Sequence, residues 1–124
     1  MFVRSILETN CTVWNSGLNS KNIRDLERVQ KYALRIILSK KYINYEQALL
    51  MIDLDPLTIR REALCLKLAK KSLKNKKHKN IFPLKQKIHQ MSTRCAEKYF
   101  VNKSKHTRTQ KSPIVYMQRL MNSI

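Results

Sequence analysis

A single glycine, Gly17, is the feature of this 124-residue chain that most restricts its possible folds. The chain also has only three prolines. Sandwiches and barrels of many short strands need a turn every few residues, and glycine and proline supply most of those turns. Hydrophobic residues make up 43% of the chain, which is enough to build one core. The sequence therefore predicts an all-α protein, a small bundle of about four to five helices with a basic, partly disordered C-terminal part.

Hydrophobic periodicity and capping residues indicate where the helices lie. The predicted helices cover residues 2–9, 20–38, 44–53 and 56–74, and a terminal helix that opens at Ser112-Pro113. Asn19 or Ser20 can cap the second helix by accepting hydrogen bonds from free backbone N–H groups. Pro56 and Pro113 suit the first turn of a helix, where a missing N–H costs nothing. We also expect a short extended piece at residues 99–101.

The charge of the chain indicates what kind of partner it has. The formal net charge is +18, of which residues 1–54 carry +3 and residues 55–124 carry +15. Such an excess repels itself unless an anionic partner is present, and nucleic acid is the expected partner. An anionic membrane surface and an acidic protein are the alternatives. We expect a helical domain over residues 1–74, a weakly structured basic linker over 75–111 and a short C-terminal helix over 112–124.

Cations line one side of the helix predicted over residues 20–38. Its apolar side chains fall in one arc, consisting of Ile23, Leu26, Val29, Ala33, Leu34, Ile36 and Ile37. The opposite arc holds what we call the first basic row: Lys21, Arg24, Arg28, Lys31 and Arg35. This row is about 20 Å long at the helical rise, which is long enough to follow a phosphate backbone. Basic helix faces that are merely solvated are also common, but no acidic residue interrupts this one.

A second, narrower stripe lies on the helix predicted over residues 56–74. We call it the second basic row, and it consists of Arg60, Lys67, Lys71 and Lys74. It is a weaker signal of the same type. Tyrosines near basic residues are candidates for stacking on bases, namely Tyr42, Tyr45, Tyr99 and Tyr116. Core packing is the expectation for Trp14 and Phe82.

The residues of an intact active site are not recognisable in the sequence. A Gly-rich phosphate loop is impossible with one glycine, and the three histidines are isolated in polar, basic stretches. Asp53 and Asp55 flank a helix break, where capping explains them better than metal binding does. The sequence predicts no enzyme, no cofactor, no metal and no small-molecule substrate.

Cysteine spacing and hydropathy indicate in which cellular compartment the protein is expected. Cys11, Cys65 and Cys95 are far apart and form no CxxC pair, which argues against a disulfide framework and against a zinc knuckle. Buried thiols in a reducing compartment, nuclear or cytoplasmic, are the expectation. No apolar run approaches the ~18 residues that a membrane span needs, and the N-terminus has no signal-peptide pattern. Anchoring on a membrane surface needs a lone helix with large apolar groups opposite its cations. The apolar arc of residues 20–38 has neighbouring apolar helices to pack on, so we expect no membrane partner.

Several segments, taken in order, resemble one family. The first are residues 3–8 (Val-Arg-Ser-Ile-Leu-Glu), 13–15 (Val-Trp-Asn), 26–31 (Leu-Glu-Arg-Val-Gln-Lys) and 33–37 (Ala-Leu-Arg-Ile-Ile). The later ones consist of Tyr42, Tyr45, Glu46, Ala48 and Leu49, then Arg60, Arg61, Glu62, Leu64, Cys65, Ala69, Lys70 and Lys71, and finally Ser112, Pro113, Ile114, Tyr116, Met117, Leu120, Met121 and Asn122. Their order and spacing resemble the region after the catalytic palm in non-LTR (LINE-type, Jockey-like) retrotransposon reverse transcriptases. The resemblance covers nearly the whole chain. One departure is Thr9-Asn10, where that family has an aromatic and a small residue.

The resemblance implies a thumb with its C-terminal extension. In that family this helical unit grips template and primer, so the resemblance makes residues 1–74 a thumb-like domain. The catalytic aspartates belong to the palm, in a Phe/Tyr-x-Asp-Asp motif, and this chain contains no Asp-Asp pair. We therefore expect a truncated, non-catalytic fragment that binds RNA, DNA or their hybrid without sequence preference. A basic helical module for an acidic protein or an anionic surface is the alternative.

Overall fold

The computed structural model describes residues 2–88, 94 and 97–124, and their regular structure is helical. The α-helices are α1 (Phe2–Glu8), α2 (Cys11–Trp14), α3 (Ser20–Leu38), α4 (Tyr45–Ile52), α5 (Leu57–Lys74), α6 (Lys85–Ile88), α7 (Thr107–Gln110) and α8 (Pro113–Asn122). Short 3-10 helices occupy Asn15–Gly17, Ser39–Lys41 and Lys79–Ile81. Over the described residues, five of the α-helices have seven or more residues. The predicted all-α class is confirmed.

Local signals explain where the long helices begin. The Asn19 side chain accepts a 2.9 Å hydrogen bond from the backbone N–H of Asn22, so Asn19 caps α3. Pro113 occupies the first turn of α8 as predicted. Pro56 differs from the prediction, because it lies one residue before α5 and its carbonyl accepts from the N–H of Arg60. The helix α2 was not predicted, and it begins directly after Asn10, whose backbone is left-handed (φ 51°).

The first hydrophobic cluster joins α5 to the C-terminal part of the chain. Its buried members are Cys65, Ala69, Phe82 and Met117. Six partly buried side chains pack against them, namely Leu73, Ile81, Tyr99, Tyr116, Leu120 and Met121. One cluster thus draws residues from all three of the segments expected over 1–74, 75–111 and 112–124. In the middle segment, Leu84 and Tyr99 form an isolated antiparallel bridge, at the position of the expected extended piece.

The second hydrophobic cluster lies between α3 and α4. Leu34, Ala48 and Leu49 are its buried members, and Tyr45 and Ile52 are among the side chains that pack against them. The buried line of α3 runs through Gln30 and Leu34, whereas Ile36 stays 80% exposed. The apolar arc predicted for α3 is therefore only partly buried. This orientation turns the first basic row outward.

Candidate functional site

The first basic row lies on the outer face of α3. All five of its side chains are exposed, and α3 contacts α1, α4 and α5 with its other sides. The Nε of Arg24 donates to the carbonyl of Ser20 at 3.3 Å, which ties that side chain to the first turn of the helix. The structure thus brings the five predicted residues together on one exposed surface.

Acidic neighbours compensate little of this charge. Arg28 Nη1 lies 3.8 Å from Asp25 Oδ1, and both side chains are largely exposed. Exposed pairs of this kind contribute about 0–1 kcal/mol and are screened by salt. Among the described residues this is the only ion pair made by the first basic row. The row therefore presents nearly all of its positive charge to solvent.

Tyrosine rings support the C-terminal half of the row. The Lys31 ammonium lies 4.9 Å from the centroid of the Tyr45 ring. The Arg35 guanidinium lies 5.9 Å from the Tyr32 ring and 5.4 Å from the Tyr42 ring. Cation–π contacts of this length are favourable and orient long side chains. Tyr42 and Tyr45, which were candidates for base stacking, are here partly buried beneath cations.

A carboxylate lies at the edge of the row without pairing to it. The hydroxyl of Tyr45 donates to Glu27 Oε1 and accepts from Gln30 Nε2 at 3.0 Å. Burial first, and then the Glu27 carboxylate, raise the pKa of the Tyr45 hydroxyl. Glu27 and Thr58 line a shallow groove of about 470 Å³ together with three members of the row, Arg24, Arg28 and Lys31. Since Thr58 belongs to α5, the first turn of α5 lies beside the first basic row.

The second basic row is divided by the structure. Arg60 Nε lies 2.6 Å from Glu8 Oε1 and donates to Oε2 at 2.8 Å, which raises the pKa of the Arg60 guanidinium. Arg60 therefore links α5 to α1. The other three members, Lys67, Lys71 and Lys74, are exposed. They line a shallow groove together with Lys70, which was not a predicted member of the second basic row.

The two basic rows lie on different helices, α3 and α5. Within the described part of the chain, no hydrogen bond or ion pair connects a member of one row to a member of the other. Helical periodicity accounts for each row separately. It does not predict their relation, because that depends on how α3 and α5 pack.

A third group of cations was not predicted. Lys85, Lys103 and Arg119 line one cleft in the C-terminal half of the molecule. These residues belong to α6, to the segment before α7 and to α8, so no periodic pattern in the sequence connects them. The only available signal was the high density of basic residues after residue 55.

Groups that could support catalysis or hold a metal are separated from one another. His78 and His106 are exposed, and His89 lies outside the described residues. In the ranges 2–88 and 97–124 no cluster of three or more His, Cys, Asp or Glu side chains is placed to hold a metal ion. Asp53 adopts a left-handed conformation (φ 54°) immediately after α4, which agrees with the expected role in ending that helix.

The two described cysteines are buried free thiols. Burial raises the pKa of Cys11, and it raises the pKa of Cys65 to about 11, with Cys11 adding a smaller effect. Thiols with raised pKa values are weak nucleophiles at neutral pH. Cys95 lies outside the described residues.

Comparisons with known proteins give no relative. No protein-family model matches the chain, and neither the curated proteins nor the solved structures yielded a match. None of the helices in the described ranges combines the length and the apolar character that crossing a membrane requires.

Proposed function

We propose that this chain is a non-catalytic, sequence-independent nucleic-acid-binding unit, with RNA, DNA or their hybrid as its partner. The first basic row is the observation that carries the proposal. Five exposed cations follow one helix face, and a single exposed ion pair offsets them within the described residues. Phosphate contacts position a protein on nucleic acid without reading its bases, so such a face binds with little sequence preference.

The resemblance to the thumb of non-LTR retrotransposon reverse transcriptases supports the same proposal. The segments that resemble that family include residues 26–31 and 33–37, which lie in α3 and contain Arg28, Lys31 and Arg35. We expect the pure chain to incorporate no nucleotides on a primed RNA template with Mg²⁺, since it has no Asp-Asp pair. Template-dependent incorporation above a buffer control would contradict this reading.

Charge reversal in the first basic row tests the proposal. The variant Arg28→Glu/Lys31→Glu should bind a duplex or an RNA–DNA hybrid more weakly at low salt, and the loss should shrink as salt rises. Because each phosphate contact contributes about −0.9 to the log–log salt slope on duplex, losing two contacts should reduce the slope by about 1.8. Fluorescence anisotropy with two unrelated duplex sequences measures both affinity and sequence preference.

Two further variants keep this test specific. Lys76→Glu/Lys77→Glu makes the same change in net charge in an exposed turn and should weaken binding much less. Arg28→Gln/Lys31→Gln removes the charges without placing new acids near Asp25 and Glu27, so it controls for helix destabilisation. If the α3 variants bind like the parent at low salt, the first basic row is only solvated. The alternative of a basic module for an acidic protein or an anionic surface would then gain support.

A further inference from the structure

A cleft of about 720 Å³ opens between the segment 100–104 and helices α6, α7 and α8. Three cations line it, Lys85, Lys103 and Arg119, and no carboxylate lies among its described lining residues. In the sequence after Glu62 the only acidic residue is Glu97, which is exposed and is not among the described residues that line the cleft. The cleft therefore has a strongly positive lining. Its volume falls within the range of about 300–1,000 Å³ that is typical of small-molecule sites.

Backbone pairing fixes one wall of this cleft. The N–H of Lys85 donates to the carbonyl of Lys98 at 2.9 Å, and the N–H of Phe100 donates to the carbonyl of Pro83 at 2.8 Å. The Asn122 side chain of α8 bonds both backbone groups of Tyr99, at 2.8 and 2.9 Å. The positions of Lys85 and Phe100 are thus set by hydrogen bonds between segments far apart in sequence.

Amide side chains anchor the segment 100–104. Gln118 is only 1% exposed, donates to the carbonyl of Ile81 at 3.0 Å and accepts from the N–H of Asn102 at 3.4 Å. Gln110 of α7 donates to the carbonyl of Ser104 at 2.7 Å. The segment 100–104, which carries Lys103, is therefore anchored at both ends. A cleft built from anchored segments is preorganised for a ligand.

The chemistry of the lining identifies the ligand class. Cations without a carboxylate partner favour an anion with several acceptor oxygens, such as a phosphate. The partly buried Phe100 ring and Val101 form an apolar wall beside them, and the Asn102 and Gln110 amides supply polar groups at its edge. We propose that this cleft binds a nucleotide unit, with its phosphate among Lys85, Lys103 and Arg119 and its base against Phe100. The site shares no residue with either basic row, so it does not depend on the function proposed above.

Titration calorimetry on the full chain tests this assignment with four probes. They are adenosine 5′-monophosphate, adenosine, inorganic phosphate and a short single-stranded oligodeoxyadenylate. We expect the monophosphate to bind more tightly than adenosine or phosphate, because only it uses both the cations and the ring. Binding of the monophosphate identifies a free nucleotide as a source, whereas binding of the oligonucleotide alone identifies a nucleotide within a single strand. If neither the monophosphate nor the oligonucleotide binds, the proposal is wrong.

Variants locate the bound probe. For the probe that the parent protein binds, Lys103→Gln and Arg119→Gln should each lower the affinity by about tenfold. This is the loss expected when one charge-assisted hydrogen bond is removed. Phe100→Leu should weaken the nucleotide probes but leave the affinity for phosphate unchanged. The control Lys76→Gln/Lys77→Gln should bind like the parent, and circular dichroism should show the parent's helicity in each variant.

The α3 variant separates this inference from the proposed function. Arg28→Gln/Lys31→Gln should lose duplex affinity and keep its affinity for the nucleotide probe. If that variant loses the probe while the three cleft variants keep it, the probe lies on α3 and the cleft assignment is wrong. If the cleft variants behave as expected while duplex binding is unaffected by the α3 variants, the cleft assignment stands and the proposed function fails.

Discussion

Arg61 is a cation in the interior of the molecule. It is fully buried on the inner side of α5, where its Nε donates to Asn15 Oδ1 at 3.0 Å and its guanidinium lies 5.9 Å from the Trp14 ring. Within the described residues it forms no ion pair, and its two Nη atoms have no hydrogen-bond partner. A buried charge without a carboxylate is costly, so it depends strongly on the polar and aromatic groups around it.

Asn15→Ala should destabilise the protein by about 1–3 kcal/mol, the cost of leaving buried polar groups unpaired. Asn15 also contacts the Tyr116 hydroxyl, to which it donates at 3.2 Å, so one amide connects α5 and α8. Urea denaturation followed by circular dichroism measures the change. The control Asn22→Ala removes an exposed amide and should change the free energy of unfolding by less than about 0.5 kcal/mol. Equal stabilities of the two variants would contradict the prediction.

The Cys65 thiol should make the protein less stable at alkaline pH. Its pKa is raised in the fold from 9.0 to about 11, mainly by burial. The native state therefore keeps a proton that the unfolded state releases between these values, and the free energy of unfolding falls as pH rises from about 9 to about 11. In Cys65→Ala, which lowers stability by a roughly constant amount, this decline should be shallower. Denaturant titrations at several pH values test this, and parallel declines would refute it.

At the scale of elements, α3 shows how a neighbour changes the buried side of a helix. The Gln30 amide donates to the Tyr45 hydroxyl at 3.0 Å, and Gln30 is buried together with Leu34. Val29 and Ile36 remain exposed although their pattern predicted burial, so the buried line of α3 lies along one side of the predicted apolar arc. The five cations of the first basic row are exposed as well, so α3 buries only a narrow line of its surface.

Asn122 should hold the segment around Tyr99 against α8. Asn122→Ala removes both hydrogen bonds to the Tyr99 backbone, so the amide of Tyr99 and that of Phe100 should exchange hydrogen faster. Amides of α3 should keep their protection, because α3 lies in the other cluster. Hydrogen exchange read by mass spectrometry or NMR measures both regions. Ser123→Ala, next to it in an exposed position, is the matched control; an equal change there would argue against the anchoring role of Asn122.

The whole molecule buries its apolar side chains incompletely. Among the described residues, one hydrophobic cluster joins α5, Phe82 and α8, and another lies between α3 and α4. Large apolar side chains nevertheless remain on the outside of α3 and α4, with Ile36 at 80% and Leu50 at 81% exposure. Monomers rarely expose large contiguous apolar patches unless the patch contacts another molecule.

We therefore expect the isolated protein to bind hydrophobic dyes, and to self-associate in the absence of a partner once salt screens its net charge. The variant Ile36→Gln/Leu50→Gln should reduce both effects with little loss of stability, because these side chains bury little surface. Dye fluorescence and analytical ultracentrifugation measure them. A monodisperse parent protein that binds no dye would show that the exposed side chains have no such effect.

The helical class and the approximate positions of the long helices follow from the sequence. A chain with a single glycine cannot supply the many tight turns of a β-sandwich or barrel. The periodicity of apolar residues predicts α3 and α5, and Asn19 and Pro56 directly precede their first residues. The composition of the first basic row was equally predictable, because residues three and four apart share a helix face whatever the helix packs against.

The tertiary structure alone decided how these elements combine. Arg60 pairs with Glu8 across 52 positions, so it links two helices although its spacing assigned it to a basic row. The cleft of Lys85, Lys103 and Arg119 exists because Gln118 and Asn122 anchor distant segments to α8. The periodicity of apolar and charged residues in the sequence predicts only which residues share a face of one helix. Pairing between elements depends on long-range contacts, and those form only when the chain is folded.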